Sequence, residues 1–506
     1  MFVRKKKNKA GSTTIQVVSK SWGKSKVIKT IGHSSDAQHL ETLRQKGRQT
    51  IQEITGQPSL FYEPNDALIE AYLGSLDNGQ IRVVGPELVF GKLYDRMGLN
   101  AIKEELFRHL VITRLVNPGS KLKTVSYLKR YQGVDISVDK VYRFMDVLQS
   151  KLKTQVEDIC YAHTKKVLEG QVSIVFYDMT TLYFESEDED DLRKTGFSKE
   201  GKHQQPQIYL GLLVGLGGYA IGYEIYEGNI YEGHTLIPVL QKFEQRFNLS
   251  RPIVVADAGL LSKENIALLI QHQYCYILGA RIKNESHAVK QQVLSLSIND
   301  GEHSCIVKQD GTRLIISYSE KRAIKDEHNR KRGLKKLEKS IRSHNLTKSQ
   351  INNRGYNKYL KLKGNIEVEI DYDKFEKDKV WDGLKGYLTN TDLTEKQIMD
   401  NYKNLWHVEK AFRISKTDLR IRPVYHHLRR RIEAHICISF TAYAIYKEME
   451  RLLYKHRVPF SVNSVADNTQ NMYQISVKLP ESKAQRDILL NMDENQRRIL
   501  EIVDQN

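Results

Sequence analysis

Cysteine is scarce in this chain: four residues in 506, Cys160, Cys275, Cys305 and Cys437, far apart and with no CxxC spacing. That scatter excludes a zinc site built on paired thiolates and a disulfide framework, and leaves reduced thiols as the expectation. No run of about 18 apolar residues occurs, so no membrane-spanning helix is expected. The opening residues MFVRKKKNKA lack the apolar stretch of a secretory signal. The expected location is therefore cytoplasmic, in association with the nucleoid if DNA is the substrate. Acidic side chains are absent before Asp36, while the first 34 residues hold nine Lys and Arg.

The whole chain is basic. Lys and Arg number 79 against 61 Asp and Glu, a formal charge of +18, which favours a polyanion that gains by phosphate neutralisation and counterion release. Nucleic acid is the leading candidate partner, double-stranded DNA if the resemblance drawn below holds, and a merely basic soluble protein is the alternative. With 40% apolar residues over 506 positions, two to four hydrophobic cores are expected rather than one.

Residues 1–34 read as a basic β-hairpin, with TIQVVSKSW and KVIKTIG around a Gly-Lys turn. A DNA-touching hairpin and a Lys-protected edge fit it equally. Residues 35–170 carry heptad-like apolar positions and read as a helical region, which fits a DNA-end-binding reader and ordinary helical packing alike. At 171 strands begin: QVSIVFYDMTTLYFE, QIYLGLLVGL and YAIGYEIYEGN, then a helix, the strand PIVVADA, a helix capped by Ser262 and the strand YCYILGARI. Three strands, helix, strand, helix, strand is the ribonuclease H-like plan. The fold class expected is α/β, with a ribonuclease H-like catalytic domain in two parts, 171–283 and 394–458. A mostly β insertion, 284–393, would interrupt it, and a tail, 459–506, with a polar loop, VNSVADNTQNMYQ, a short strand and a terminal amphipathic helix, would follow. Within the insertion, residues 321–342 hold ten Lys and Arg against three acids, suited to a DNA backbone or to a solvated helix.

Three acids stand where apolar elements would bury them: Asp178 in VSIVFYDMTTLYFE, Asp257 in RPIVVADAGLL and Glu409 in NYKNLWHVEKAFRISK. A carboxylate in a Val/Ile-rich strand is costly without a cation, and Mg²⁺ takes hard oxygen ligands, so the three read as a divalent-metal site with Mn²⁺ as a possible substitute. Two metal ions would suit phosphoryl transfer. Tyr402, Glu409 and Lys416 follow one another at seven-residue steps, which keeps them on one helical face. Trp406 and Arg413 flank that stripe, and Leu405, Val408 and Phe412 form a separate apolar side. The acid run Glu185 to Asp191 reads as a solvated loop. His426, His427 and His435, near Arg429 to Arg431, read as phosphate contacts or packing residues, since Mg²⁺ prefers oxygen.

YDMTTLYFE, GFSKEGKHQQPQIYLGLLV, YEGNIYEGHTL, VVADAGLLSKENI and the block from YKNLWHVEKAF to FTAYAI together resemble the DDE transposases of bacterial insertion sequences, in the group with a Tyr-Arg-Glu-Lys signature. The resemblance implies Asp178, Asp257 and Glu409 as a catalytic, metal-binding triad, with Tyr402 and Lys416 on the DNA end. It implies an enzyme that binds terminal inverted repeats, cleaves the element ends and transfers 3′-hydroxyl strands into target DNA, as a homodimer on DNA. Leu405 stands where the signature has arginine, with Arg413 as a substitute from the same face. A metal-dependent nuclease without strand joining, or an inactive DNA-binding repressor of the element, are the alternatives.

Overall fold

A computed structural model supplies the fold; it describes all residues except 9–10, 22, 56–68, 71, 199–200, 250, 261, 344–350, 353–354, 364–366, 480–481 and 506. The chain divides into two compact units, residues 1–80 with 476–487, and residues 81–475 with 488–506. No helix among the described residues is long and apolar enough to cross a membrane.

In the first unit, β1 (Phe2–Lys7), β2 (Thr13–Ser21) and β3 (Lys24–Ser34) form an antiparallel sheet in that order. Two strands are expected here from the sequence; FVRKKK adds a third, because its Lys run masks the strand signal that Val3 carries. Helix α1 (Ala37–Thr55) packs on the sheet through Leu43 and Gly47. Gly47 is needed for that approach: a Cβ there would lie 3.1 Å from the Val3 side chain.

The second unit is built on one eight-stranded sheet. Its strands are β5 (Ile174–Tyr183), β6 (Gln207–Val214), β7 (Ala220–Glu227), β8 (Ile253–Ala256), β9 (Tyr276–Ala280), β10 (His303–Val307), β11 (Arg313–Tyr318) and β14 (Leu384–Thr389), with β4 (Ile81–Val83) and the pair β12 (Leu360–Lys363) and β13 (Glu367–Ile370) outside it. The spatial order is β10-β11-β14-β9-β8-β5-β6-β7. β5, β8 and β9 run parallel, and all other neighbours antiparallel.

The sheet is covered on both faces, which is why β5 is apolar at both alternations. Val175, Tyr177 and Met179 enter one core with Val254, Ala256 and helix α2 (Leu236–Phe247). Phe176 and Leu182 enter the other, with Val255, Ile277 and Tyr387, beneath helices α5 (Trp406–Thr417) and α6 (Arg429–Lys455). Between these covers lie α3 (Glu320–Arg342) and α4 (Glu395–Lys403).

Three expectations change. The segment 284–393 is not mainly β, since the 23-residue α3 is its longest element. Its strands β10, β11 and β14 extend the main sheet, pairing on the open edge of β9; an unpaired edge with a buried row of N–H and C=O groups is costly, and β14 removes it. VNSVADNTQNMYQ is not simply a polar loop. Ser461 caps a short helix, Val462–Thr469, that buries Val462, Val465 and Ala466, a helical i, i+3, i+4 spacing hidden among polar neighbours.

Candidate active site

Residue parity and strand register assemble the site. On β5, Asp178 shares the face of Phe176, and beyond β8 Asp257 shares that of Val255, so both project toward the core that α5 covers. Tyr177 pairs with Ala256 across the parallel strands, so Asp178 and Asp257 occupy the next register position, one strand spacing of ~4.8 Å apart. Residues 79 positions apart in the sequence thus meet at neighbouring strands. The same row continues to Gly279 on β9 and to its partner Tyr387 on β14.

Each aspartate is held by backbone. Asp257 Oδ1 accepts a hydrogen bond from the Gly259 N–H at 2.7 Å, and Asp178 Oδ1 from the Met179 N–H at 2.8 Å. Those bonds engage one oxygen of each carboxylate, and Asp257 is exposed.

Glu409 comes from α5, which packs on β5 and β6. Val408, Ala411, Phe412 and Ser415 are buried against the sheet, while Trp406, Glu409 and Arg413 are exposed and Lys416 half-buried. The spacing 406, 409, 413, 416 is one helical stripe. The single helix expected to run through Tyr402 is instead two, α4 and α5, joined at Asn404 and Leu405 by i→i−3 bonds such as Leu405 N–H to Tyr402 O at 3.1 Å. Leu405 is 6% exposed and part of the core.

Tyr402 lies on α4 and still faces the acids. Its hydroxyl fills the space that Gly279 leaves: a Cβ on that glycine would fall 2.4 Å from it. Burial, then the Asp257 and Glu409 carboxylates among its neighbours, push the phenol pKa up, so it stays a neutral donor.

The sequence reading missed Lys385. On β14 it has the parity of Tyr387, and its ammonium sits 4.5 Å from the centre of the Tyr402 ring and 5.2 Å from that of Tyr387. Burial lowers its pKa, as do Arg322 and Lys403, and Glu409 opposes them. Arg322, at the start of α3, brings the basic stretch 321–342 to the same place. Only the alternation of LKGYLT hinted at Lys385; its place beside Glu409 is a matter of strand pairing.

Trp406 lies one turn before Glu409, with its ring 4.2 Å from that of His407 and Lys410 over its face at 5.4 Å. Arg413 lies one turn after it, and its charge acts on Tyr446. The histidines expected near phosphate separate: His427 accepts from Arg193 at 3.2 Å, whereas His426 and His435 are buried together.

Among the described residues no three His, Cys, Asp or Glu side chains stand close enough to enclose a metal ion. The donors nonetheless fit one in kind: the Asp178 and Asp257 pair offers hard carboxylate oxygens at adjacent register positions, and Glu409 offers a third from an exposed helix face.

A comparison with curated proteins finds no match. Among solved structures, the cryo-EM structure of a piggyBac transposase synaptic complex with hairpin DNA is similar, with 10% identity, 76% of each chain covered and a TM-score of 0.40. The family described as the transposase DDE domain matches residues 170–445, more than half of the chain and the whole of the acidic row, Tyr402, Lys385 and α5. The chain belongs to the transposase DDE domain family.

Proposed function

We propose that this protein is the transposase of an insertion sequence: it binds the element's terminal inverted repeats, hydrolyses strands at the ends and joins the freed 3′ hydroxyls to target DNA. The observation that carries the reading is the register of Asp178 beside Asp257 on one sheet face, under the helix bearing Glu409, inside the family's matched segment. The strand order β7-β6-β5-β8-β9 with helices on both faces supports a ribonuclease H-like catalytic core.

Asp178, Asp257 and Glu409 would hold Mg²⁺, with Mn²⁺ as substitute. When bound, two such ions supply charge neutralisation at phosphorus and activation of the attacking oxygen. The chain's own residues do the rest. Tyr402 donates its hydroxyl hydrogen bond beside Asp257, and Lys385 and Arg322 neutralise phosphates next to Glu409. Arg413 and Lys416 extend the cationic stripe along α5, and the exposed Trp406 offers a stacking face for an unpaired base. Strand joining brings two ends together, so a homodimer on DNA follows from the reaction rather than from any interface. Residues 1–170, with a Lys-rich first sheet, would recognise the repeats.

The test is cleavage and joining by the purified protein with Mg²⁺ on DNA carrying the gene's own flanks, beside Asp257→Ala. Cleavage at the flank ends with transfer into a second plasmid, lost in the variant, is the expected result. Cleavage without joining would favour a nuclease, and cutting by the variant would remove Asp257 from the site.

A further inference from the structure

A second cationic centre lies away from the acidic row. A cavity of ≈ 500 Å³ is lined by five Lys and Arg side chains, Arg114, Lys121, Lys123, Arg420 and Arg422, and among the described residues by no acidic one. Two of them are interior: Arg114 and Lys121 are each only 4% exposed. Arg114 Nη1 donates to the Leu419 and Arg420 carbonyls at 3.4 Å each, long bonds to neutral acceptors. Among the described residues the Lys121 ammonium has neither hydrogen bond nor ion pair. His435 donates from Nε2 toward the Ile421 carbonyl at 2.9 Å, and its buried Nδ1 has no partner.

Buried charges are normally paired, since an isolated ammonium in the interior is far costlier than one in water. Here two basic groups face the same space, and among the described residues nothing negative lines it. Burial and the Arg114 charge hold the Lys121 pKa well down, and burial takes Arg114 to about 10. An anion in the cavity removes both penalties. At the rim, Leu122 and Tyr425 are 64% and 61% exposed, an apolar and an aromatic surface beside a cationic floor.

We propose that this cavity is a phosphate-binding site, in which Lys121 and Arg114 seat one phosphate group of a nucleic-acid strand and Tyr425 packs against the adjoining base. A nucleotide has the needed parts: a compact anion for the floor and a π-face for the rim. The site is separate from the acidic row. Val424 pairs with Phe184 at the end of β5, six residues along from Asp178, which is roughly 20 Å of extended chain. That span is on the order of six nucleotides of one strand. The phosphate chemistry stands on the cavity alone, while its source in nucleic acid rests on the function proposed above.

The experiment is thermal unfolding of the full chain with and without inorganic phosphate, together with DNA affinity over a range of salt, for the native protein, Lys121→Met, Lys121→Arg and Asp257→Ala. Phosphate should raise the Tm of the native protein, of Lys121→Arg and of Asp257→Ala. Lys121→Met should match or exceed the native Tm without phosphate, because it removes an interior amine whose charged form burial disfavours, and should not respond to phosphate. On DNA, the slope of log K against log salt should fall by about one in Lys121→Met. A phosphate response lost with an unchanged salt slope would overturn the nucleic-acid source and leave a free-phosphate site. An equal response in the native protein and Lys121→Met, or none in either, would overturn the site itself. Failure of the metal-site reading would appear only as Asp257→Ala cleaving DNA.

Discussion

Gly279 lies directly beneath the hydroxyl of Tyr402, so closely that a Cβ on the glycine would be 2.4 Å from that oxygen and 3.1 Å from the Ala258 nitrogen. The glycine is what allows a helix residue to reach the strand row beside Asp257. Its backbone belongs to a regular strand, so the requirement is space and not an unusual φ.

Gly279→Ala should therefore destabilise the protein by about 1–3 kcal/mol through overpacking and lower strand cleavage by moving Tyr402. Adding Tyr402→Phe removes the closer atom of the clash. The double variant should regain part of the stability without regaining activity, a coupling visible in denaturant unfolding. Additive effects on stability would mean the two do not touch.

Lys385 should matter more than any other strand lysine. Replacing it with Met keeps the packing on Tyr402 and Tyr387 but removes the charge beside Glu409. Cleavage should fall by tenfold or more, the loss of about 1.4 kcal/mol in a charge-assisted contact, with folding intact. Unchanged cleavage across ionic strength would place the DNA elsewhere.

The helix that carries Arg322 is anchored by Arg330, whose Nη2 is 2.5 Å from Asp382 while only 7% of its side chain is exposed. Asp382→Ala leaves that guanidinium without its carboxylate and should cost about 3–5 kcal/mol in chemical denaturation. Replacing both partners with apolar residues should cost much less. Equal losses would show that the pair matters through shape alone.

Acid should weaken the protein through His426. Burial, with Lys121 and Arg114 nearby, lowers its pKa from 6.5 to about 3, so on acidification the unfolded chain takes up this proton first. Stability is thus fully present above pH 6.5 and is lost as the pH falls toward 3, by at most ~1.4 kcal/mol per unit. His426→Asn should flatten the dependence between pH 6 and 4 in phosphate-free buffer. An unaltered slope would assign that acid sensitivity to other groups.

How much was legible in the sequence follows from what each feature depends on. Asp178 stood out because the strand leading to it is apolar at both alternations, with Val172, Ile174 and Phe176 on one and Val175 and Tyr177 on the other, and Glu409 because Val408 and Phe412 mark the opposite side of its helix. Ser262 was readable as a cap because a hydroxyl before an amphipathic run satisfies the first free N–H groups, and it accepts from Asn265 N–H at 3.0 Å. Lys385 and the Lys121 cavity were not readable. Their neighbours come from strand pairing and from segments some 300 residues apart, and no local periodicity records those.

By itself the sequence determined the basic charge, the helix caps and the elements with a clear period, since periodicity, capping and composition act over a few residues. Only the tertiary structure decided that Asp178 and Asp257 are neighbours, that Tyr402 reaches them across Gly279 from a separate helix, that β10, β11 and β14 widen one sheet, and that Arg114 and Lys121 share one cationic cavity. Register and burial are properties of the assembled sheet, and a side chain's electrostatic partner is whatever packing brings within a few ångströms of it.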